Sequence, residues 1–145
     1  MRFQQNWSAD MAPDGRLLGF EPTLTVDMLV PTRPTLQWTF LVDSGAEWSM
    51  APRELCDLLG LHWEDGVPLS LRGISPREEC NVDGRIHDVE ILIQQINRRL
   101  VIPICFVTEL TTSLLGRCVF FDAFRIEFDQ PYRSTVFECL LDEPE

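Results

Sequence analysis

The 145-residue chain predicts a mainly β, single-domain protein with one or two short helices. Three observations lead there. Short alternating or wholly apolar runs recur along most of the chain, separated by breaks that contain proline or glycine. Only two stretches, near residues 51–60 and 118–124, carry helical signals, and both are short. The length allows one substantial core but not two, and 45% hydrophobic with 24% charged residues is the balance of a folded domain.

Taken in order, residues 1–16 mix polar and apolar positions, with Ala12-Pro13-Asp14-Gly15 as a turn. They read as a loose arm or as a strand added at an interface. Residues 23–30 alternate as a strand until Pro31 and Pro34 break the pattern. Residues 35–42 begin with alternation and end in Phe40-Leu41-Val42, as expected of a strand buried on both faces. These two strands predict a hairpin across residues 31–34. The second stops at Asp43-Ser44-Gly45-Ala46. Gly45 permits a tight turn and close backbone approach. Asp43 stands at the mouth of an apolar strand, where a carboxylate is costly unless it is hydrogen-bonded or shares a proton.

A short helix follows, with Pro52 in its first turn, Leu55, Leu58 and Leu59 as its apolar face and Gly60 as its stop. Val67-Pro68-Leu69-Ser70-Leu71 is a strand that runs into Arg72-Gly73-Ile74-Ser75-Pro76-Arg77, either an ordinary turn or a cover over a site. Asn81-Val82-Asp83-Gly84 reads as a turn, residues 86–93 as an alternating strand and 100–107 as a buried one. Ser113-Leu114-Leu115-Gly116-Arg117 precedes the helical turn at 118–124. Residues 124–129 alternate strictly as a strand, Pro131 breaks it, and 134–141 form a last strand before an acidic tail.

Composition narrows the function. The formal charge is −11, and a phosphate-binding surface needs clustered cations, so neither nucleic acid nor an anionic membrane is an expected partner. No apolar run approaches the length of a membrane helix, and the N-terminus lacks a basic-then-apolar export pattern. The five cysteines (Cys56, Cys80, Cys105, Cys118 and Cys139) are odd in number and contain no Cys-x-x-Cys, so reduced thiols in a cytoplasmic protein are expected. His62 and His87 show no metal-ligand spacing, so neither metal nor cofactor is expected.

Asp43-Ser44-Gly45-Ala46 after three apolar residues resembles the active-site loop of the aspartic proteases. The order of parts is similar to the single-domain retroviral-type members, the retropepsins, and especially to their bacterial relatives. The resemblance covers about residues 20–130 and has two further anchors. Arg72-Gly73-Ile74-Ser75 falls where the family has its flap, and Leu114-Leu115-Gly116-Arg117 resembles the apolar-apolar-Gly-Arg element behind the catalytic loop. It implies a closed acid-protease β-barrel acting as a homodimer. The chain divides accordingly into an N-terminal extension (1–16), the protease domain (17–130) and a C-terminal segment (131–145). That last segment holds a strand of either the dimer interface or the same subunit.

The resemblance implies peptide-bond hydrolysis by water, with Asp43 as acid/base in each subunit. Two carboxyls about 3 Å apart cannot both ionise and so share a proton. Only one Asp-Ser-Gly is present, so the second aspartate must be Asp43 of another copy. By the same resemblance Ser44 bonds across the dimer, Gly45 approaches substrate backbone and Ala46 packs beside it. Glu47 stands where viral members carry an aspartate that binds substrate backbone. Trp48 is bulkier than its family counterparts and narrows a side-chain pocket. Gly73 and Ile74 become flap-tip residues, although the several glycines of the viral flap are missing. Gly116 and Arg117 support the catalytic loop, Arg117 as a structural residue. The resemblance implies a peptide or protein substrate, and an apolar floor with Trp48 leads to the expectation that hydrophobic side chains flank the cut. Two other readings stand beside the endopeptidase: a dimeric peptide-binding or regulatory module using the same groove by strand addition, and a monomeric β domain with Asp43 in a plain turn.

Overall fold

The computed structural model describes residues 1–71, 82–109 and 112–141. Its first strands come from the segment that the sequence left open. β1 (Arg2–Asn6) pairs with the last strand of the chain, and β2 (Ser8–Met11) forms a two-stranded ladder with β3 (Leu17–Glu21). β4 (Thr23–Leu29) and β5 (Leu36–Val42) form the expected antiparallel hairpin, Val26 opposite Trp38. Along β4 the alternation sends Leu24, Val26 and Met28 inward, all essentially without exposure.

β6 (Ser49–Pro52) leads into α1 (Arg53–Leu58) with Pro52 just before the first turn. Leu55 and Leu59 are buried, as the pattern predicts, but the third buried position is Cys56, while Leu58 is exposed. On a six-residue helix, Leu55, Cys56 and Leu59 share one side, and Leu58 lies about 100° from its centre. Gly60 ends the helix at φ +72°, a left-handed conformation that a Cβ would disfavour.

β7 (Val67–Leu71) pairs with β8 (Val82–Ile93), which starts four residues earlier than the alternation indicates. Val82, Asp83 and Gly84 are therefore strand, not turn. Gly84 is required by closeness instead: a Cβ there would sit 2.6 Å from Cys105 Sγ. β8 runs along all of β9 (Arg98–Val107) and also pairs with β4 through Asp27–Leu92 and Met28–Ile91. That second pairing closes the barrel: β4, β5, β10 (Leu114–Leu115), β6, β9, β8 and back to β4, with β7 on the outer side of β8.

Below the barrel, Arg117–Phe121 form a kinked helical turn in which Val119 has φ +65°. β11 (Phe124–Asp129) and β12 (Ser134–Cys139) follow. β12 lies between β1 and β11, so both of its edges are used within the chain. The main core joins the two sheets: Phe40, Ile91, Ile104, Phe106 and Leu115 from the barrel meet Phe120, Phe124 and Phe137. Each such fully buried side chain contributes about 1.5–3 kcal/mol of burial free energy. A smaller cluster of Met50, Cys105 and Val107 lies on the other face of the same wall.

Candidate active site

Val42 is buried and ends β5; Asp43, half-buried, is the first residue beyond it. Three main-chain and side-chain bonds fix the turn. Asp43 N–H donates to the Leu115 carbonyl (3.0 Å), Ala46 N–H to the Asp43 carbonyl (3.3 Å) and Gly45 N–H to Asp43 Oδ1 (2.9 Å). Gly45 and Ser44 are exposed, so the backbone beside the carboxylate is open to solvent and to any ligand. One carboxylate oxygen is thus oriented by the turn itself.

The turn is held from behind by the strand that threads between its two arms. β10 runs parallel to β5, with Leu115 beside Val42, and antiparallel to β6, with Leu114 beside Met50. Beyond it, Arg117 N–H donates to the Ala46 carbonyl (2.9 Å) and Cys118 N–H to the Glu47 carbonyl (2.8 Å). Gly116 N–H donates to Ser49 Oγ at 3.0 Å, and Ser49 is fully buried. A Cβ on Gly116 would meet the Trp48 carbonyl at 2.4 Å and the Ala46 carbonyl at 2.9 Å. Glycine is therefore the residue that lets β10 lie against the turn.

Asp43, Ser44, Gly45, Ala46, Gly116 and Arg117 are thus brought together, with Glu47 and Trp48 next in the same loop. Arg117 acts through its main chain; its side chain is exposed and makes no ion pair among the described residues. Glu47 is exposed. Trp48 is half-buried and packs with Leu69, Ile86 and Leu114 onto Met50, Cys105 and Val107. This apolar floor lies beside the Asp43 turn, because Leu114 immediately precedes the residue whose carbonyl holds Asp43. Gly73 and Ile74 lie outside the described residues, between β7 and β8. Ser49 and Ser113 were not singled out in the sequence. Ser113 accepts from Trp38 Nε1 (2.8 Å) through its hydroxyl and from Leu41 N–H (2.8 Å) through its carbonyl. Neither serine's neighbours in the sequence give a sign of such a role. Among the described residues no group of three His, Cys, Asp or Glu side chains is placed to hold a metal. No helix among them is long and apolar enough to cross a membrane.

Solved structures share this architecture. A retropepsin-like aspartic protease from Rickettsia conorii superposes with a TM-score of 0.60 at 15% identity, over 94% of this chain and 92% of that one. EIAV protease in complex with an inhibitor superposes with a TM-score of 0.51 at 21% identity, over 72% of this chain and 89% of that one. No protein-family model and no curated protein matches the chain. The fold is retropepsin-like.

Proposed function

We propose that the chain is an aspartic endopeptidase that works as a homodimer, with Asp43 of each copy forming a pair of carboxyls. The observation that carries this reading is the Asp43 turn itself: an oriented, half-buried carboxylate clamped by Leu115 and Gly116, beside an apolar floor, in a retropepsin-like fold. One carboxylate takes a proton from the attacking water while the protonated partner hydrogen-bonds the scissile carbonyl. The water oxygen bonds to the carbonyl carbon, and the proton then passes to the departing amine as the C–N bond breaks. Ser44 and Gly45, both exposed, are the positions that meet the other copy and the substrate backbone. Trp48, Leu69, Ile86 and Leu114 receive an apolar substrate side chain.

Dimerisation has a structural route. β12 is enclosed, but the outer edge of β11 has no partner among the described residues. An open edge is a template for another strand. Antiparallel pairing of two β11 copies about Ile126 sets Arg125 opposite the other copy's Glu127 and Phe124 opposite its Phe128, pairs that favour association.

Digestion of a complex peptide mixture from about pH 3 to 7, wild type against Asp43→Asn, tests the reading. Cleavage that is lost in the variant supports it. A verified dimer that cleaves nothing at any of these pH values supports the peptide-binding module instead, and a monomer overturns the shared-carboxyl mechanism.

A further inference from the structure

On β4 the residues that alternate with the core positions face outward, and one of them is a carboxylate. Asp27 is only 5% exposed although it lies on this outer face, with the exposed Gln37, Gln94 and Gln95 around it. Its Oδ2 accepts a hydrogen bond from Gln94 Nε2 at 2.7 Å. No cation pairs with it: the ion pairs among the described residues are Arg16–Asp14, Arg99–Glu90 and Arg125–Glu138. Among the described residues this one neutral amide is its hydrogen-bond partner, so the carboxylate has accepting capacity to spare. Beside it lies a cavity of about 440 Å³ lined by Thr25, Asp27, Gln37, Gln94 and Gln95.

The surroundings are rich in acceptors. Gln94 donates one amide N–H to Asp27, and Gln95 one of its own to Gln5 Oε1 at 3.2 Å; neither amide oxygen has a partner among the described residues, so both can accept. An ammonium group has three donors and one positive charge, which matches a carboxylate flanked by amide oxygens. The chain has twelve arginines and no lysine, so no side chain of its own supplies that group. The net charge of −11 draws cations toward the surface.

We propose that Asp27, Gln94 and Gln95 form a binding site for a primary ammonium group, remote in sequence from the Asp43 turn and independent of its chemistry. The group is that of a free amine or of a lysine side chain presented by another protein. Titration of the full chain by calorimetry with cadaverine and with Nα-acetyl-lysine amide tests this, with tetramethylammonium as a cation that lacks N–H donors. Binding of either amine, absence of tetramethylammonium binding and at least about a tenfold loss in Asp27→Asn are the expected results. Tighter binding of the lysine derivative identifies a protein-borne lysine as the source; tighter binding of cadaverine identifies a free amine. Gln95→Leu, which leaves the Asp27–Gln94 bond intact, is expected to weaken binding several-fold and serves if Asp27→Asn does not fold. No amine binding to the wild type, equal binding of tetramethylammonium, or unchanged affinity in both variants overturns the proposal.

Discussion

Gly116 lies directly beneath the Trp48 carbonyl, so close that a Cβ would sit 2.4 Å from that oxygen. The contact joins the strand behind the site to the loop that carries Asp43. Since the Trp48 carbonyl is backbone, no side-chain rotation relieves it. Gly116→Ala is expected to cost about 1–3 kcal/mol of stability, read from the urea midpoint, and to abolish whatever activity Asp43 supports. A variant within about 0.5 kcal/mol of wild type shows that the loop shifts freely.

Ser49→Ala probes the same clamp by deletion. Ser49 Oγ accepts the Gly116 N–H in a fully buried position, and alanine leaves that N–H without a partner. The expected loss is about 1–3 kcal/mol. Ser44→Ala, at an exposed position in the same loop, is expected to leave monomer stability within about 0.5 kcal/mol, so the pair separates burial from loop membership.

Gly84 and Cys105 form a second tight pair, where a Cβ on Gly84 would lie 2.6 Å from Cys105 Sγ. Gly84→Ala is expected to destabilise by about 1–3 kcal/mol. Cys105→Ala removes the obstructing sulfur, so the double variant is expected to be more stable than the sum of the single changes by about 0.5 kcal/mol or more. Additive effects sink the close-packing account of Gly84. Recovery is partial, because Leu69 O and Val107 Cγ1 would also stand 3.3 Å from the new methyl group.

Burial pushes the Cys105 thiol up to about 11. The thiolate is the reactive form, so at pH 8 roughly one molecule in a thousand carries it at this site. Alkylation of the folded protein at pH 8 is expected to spare Cys105 and, among the cysteines of the described residues, to label the half-buried Cys118 and Cys139 first. The raised value also ties stability to pH. The contribution is fully present below the unfolded thiol's ordinary range near 9 and is lost as pH rises towards 11. Rapid labelling of Cys105 in the native state contradicts its burial.

How legible this was follows from the kind of signal each residue gives. The hairpin of β4 and β5 and the strand β11 were readable because their alternation matches the pleat they occupy. The Asp43 turn was readable because Asp-Ser-Gly after an apolar run is rare enough to notice. Gly84 misled because glycine marks both turns and crowded strands, and only the Cys105 sulfur across the ladder decides between them. Leu58 misled because a six-residue helix buries a narrow side, which Cys56 fills. Ser49 was invisible as support for the site, since it acts through a buried hydroxyl; Leu115 belongs to the element that the resemblance sets behind the catalytic loop, but its side chain gives no sign that its carbonyl holds Asp43. Nor does any local pattern announce that β12 is enclosed by β1, from the other end of the chain.

The proposed pairing of two β11 strands yields the sharpest test of the dimer. Pairing about Ile126 brings Arg125 opposite the other copy's Glu127 twice, once on each side of the two-fold axis. Arg125→Glu converts two attractive pairs into two repulsive ones, and a change of roughly 1–3 kcal/mol raises the dimer dissociation constant about ten- to a hundredfold. Arg125→Glu with Glu127→Arg restores the complementarity and is expected to recover most of the lost affinity in sedimentation experiments. Monomer stability is expected to fall by about 0.2–1 kcal/mol in both variants, because residue 125 faces Glu138 across the β11–β12 ladder and the new glutamate repels it. The bond that Arg125 makes within its own chain, to Glu138 at 3.3 Å, is an exposed pair of the kind that contributes little. Recovery with Asp129→Arg in place of Glu127→Arg moves the axis to Glu127, one residue along the strand. A dimer indifferent to all of these changes places the interface elsewhere and leaves the Asp43 pairing to be brought about by another surface.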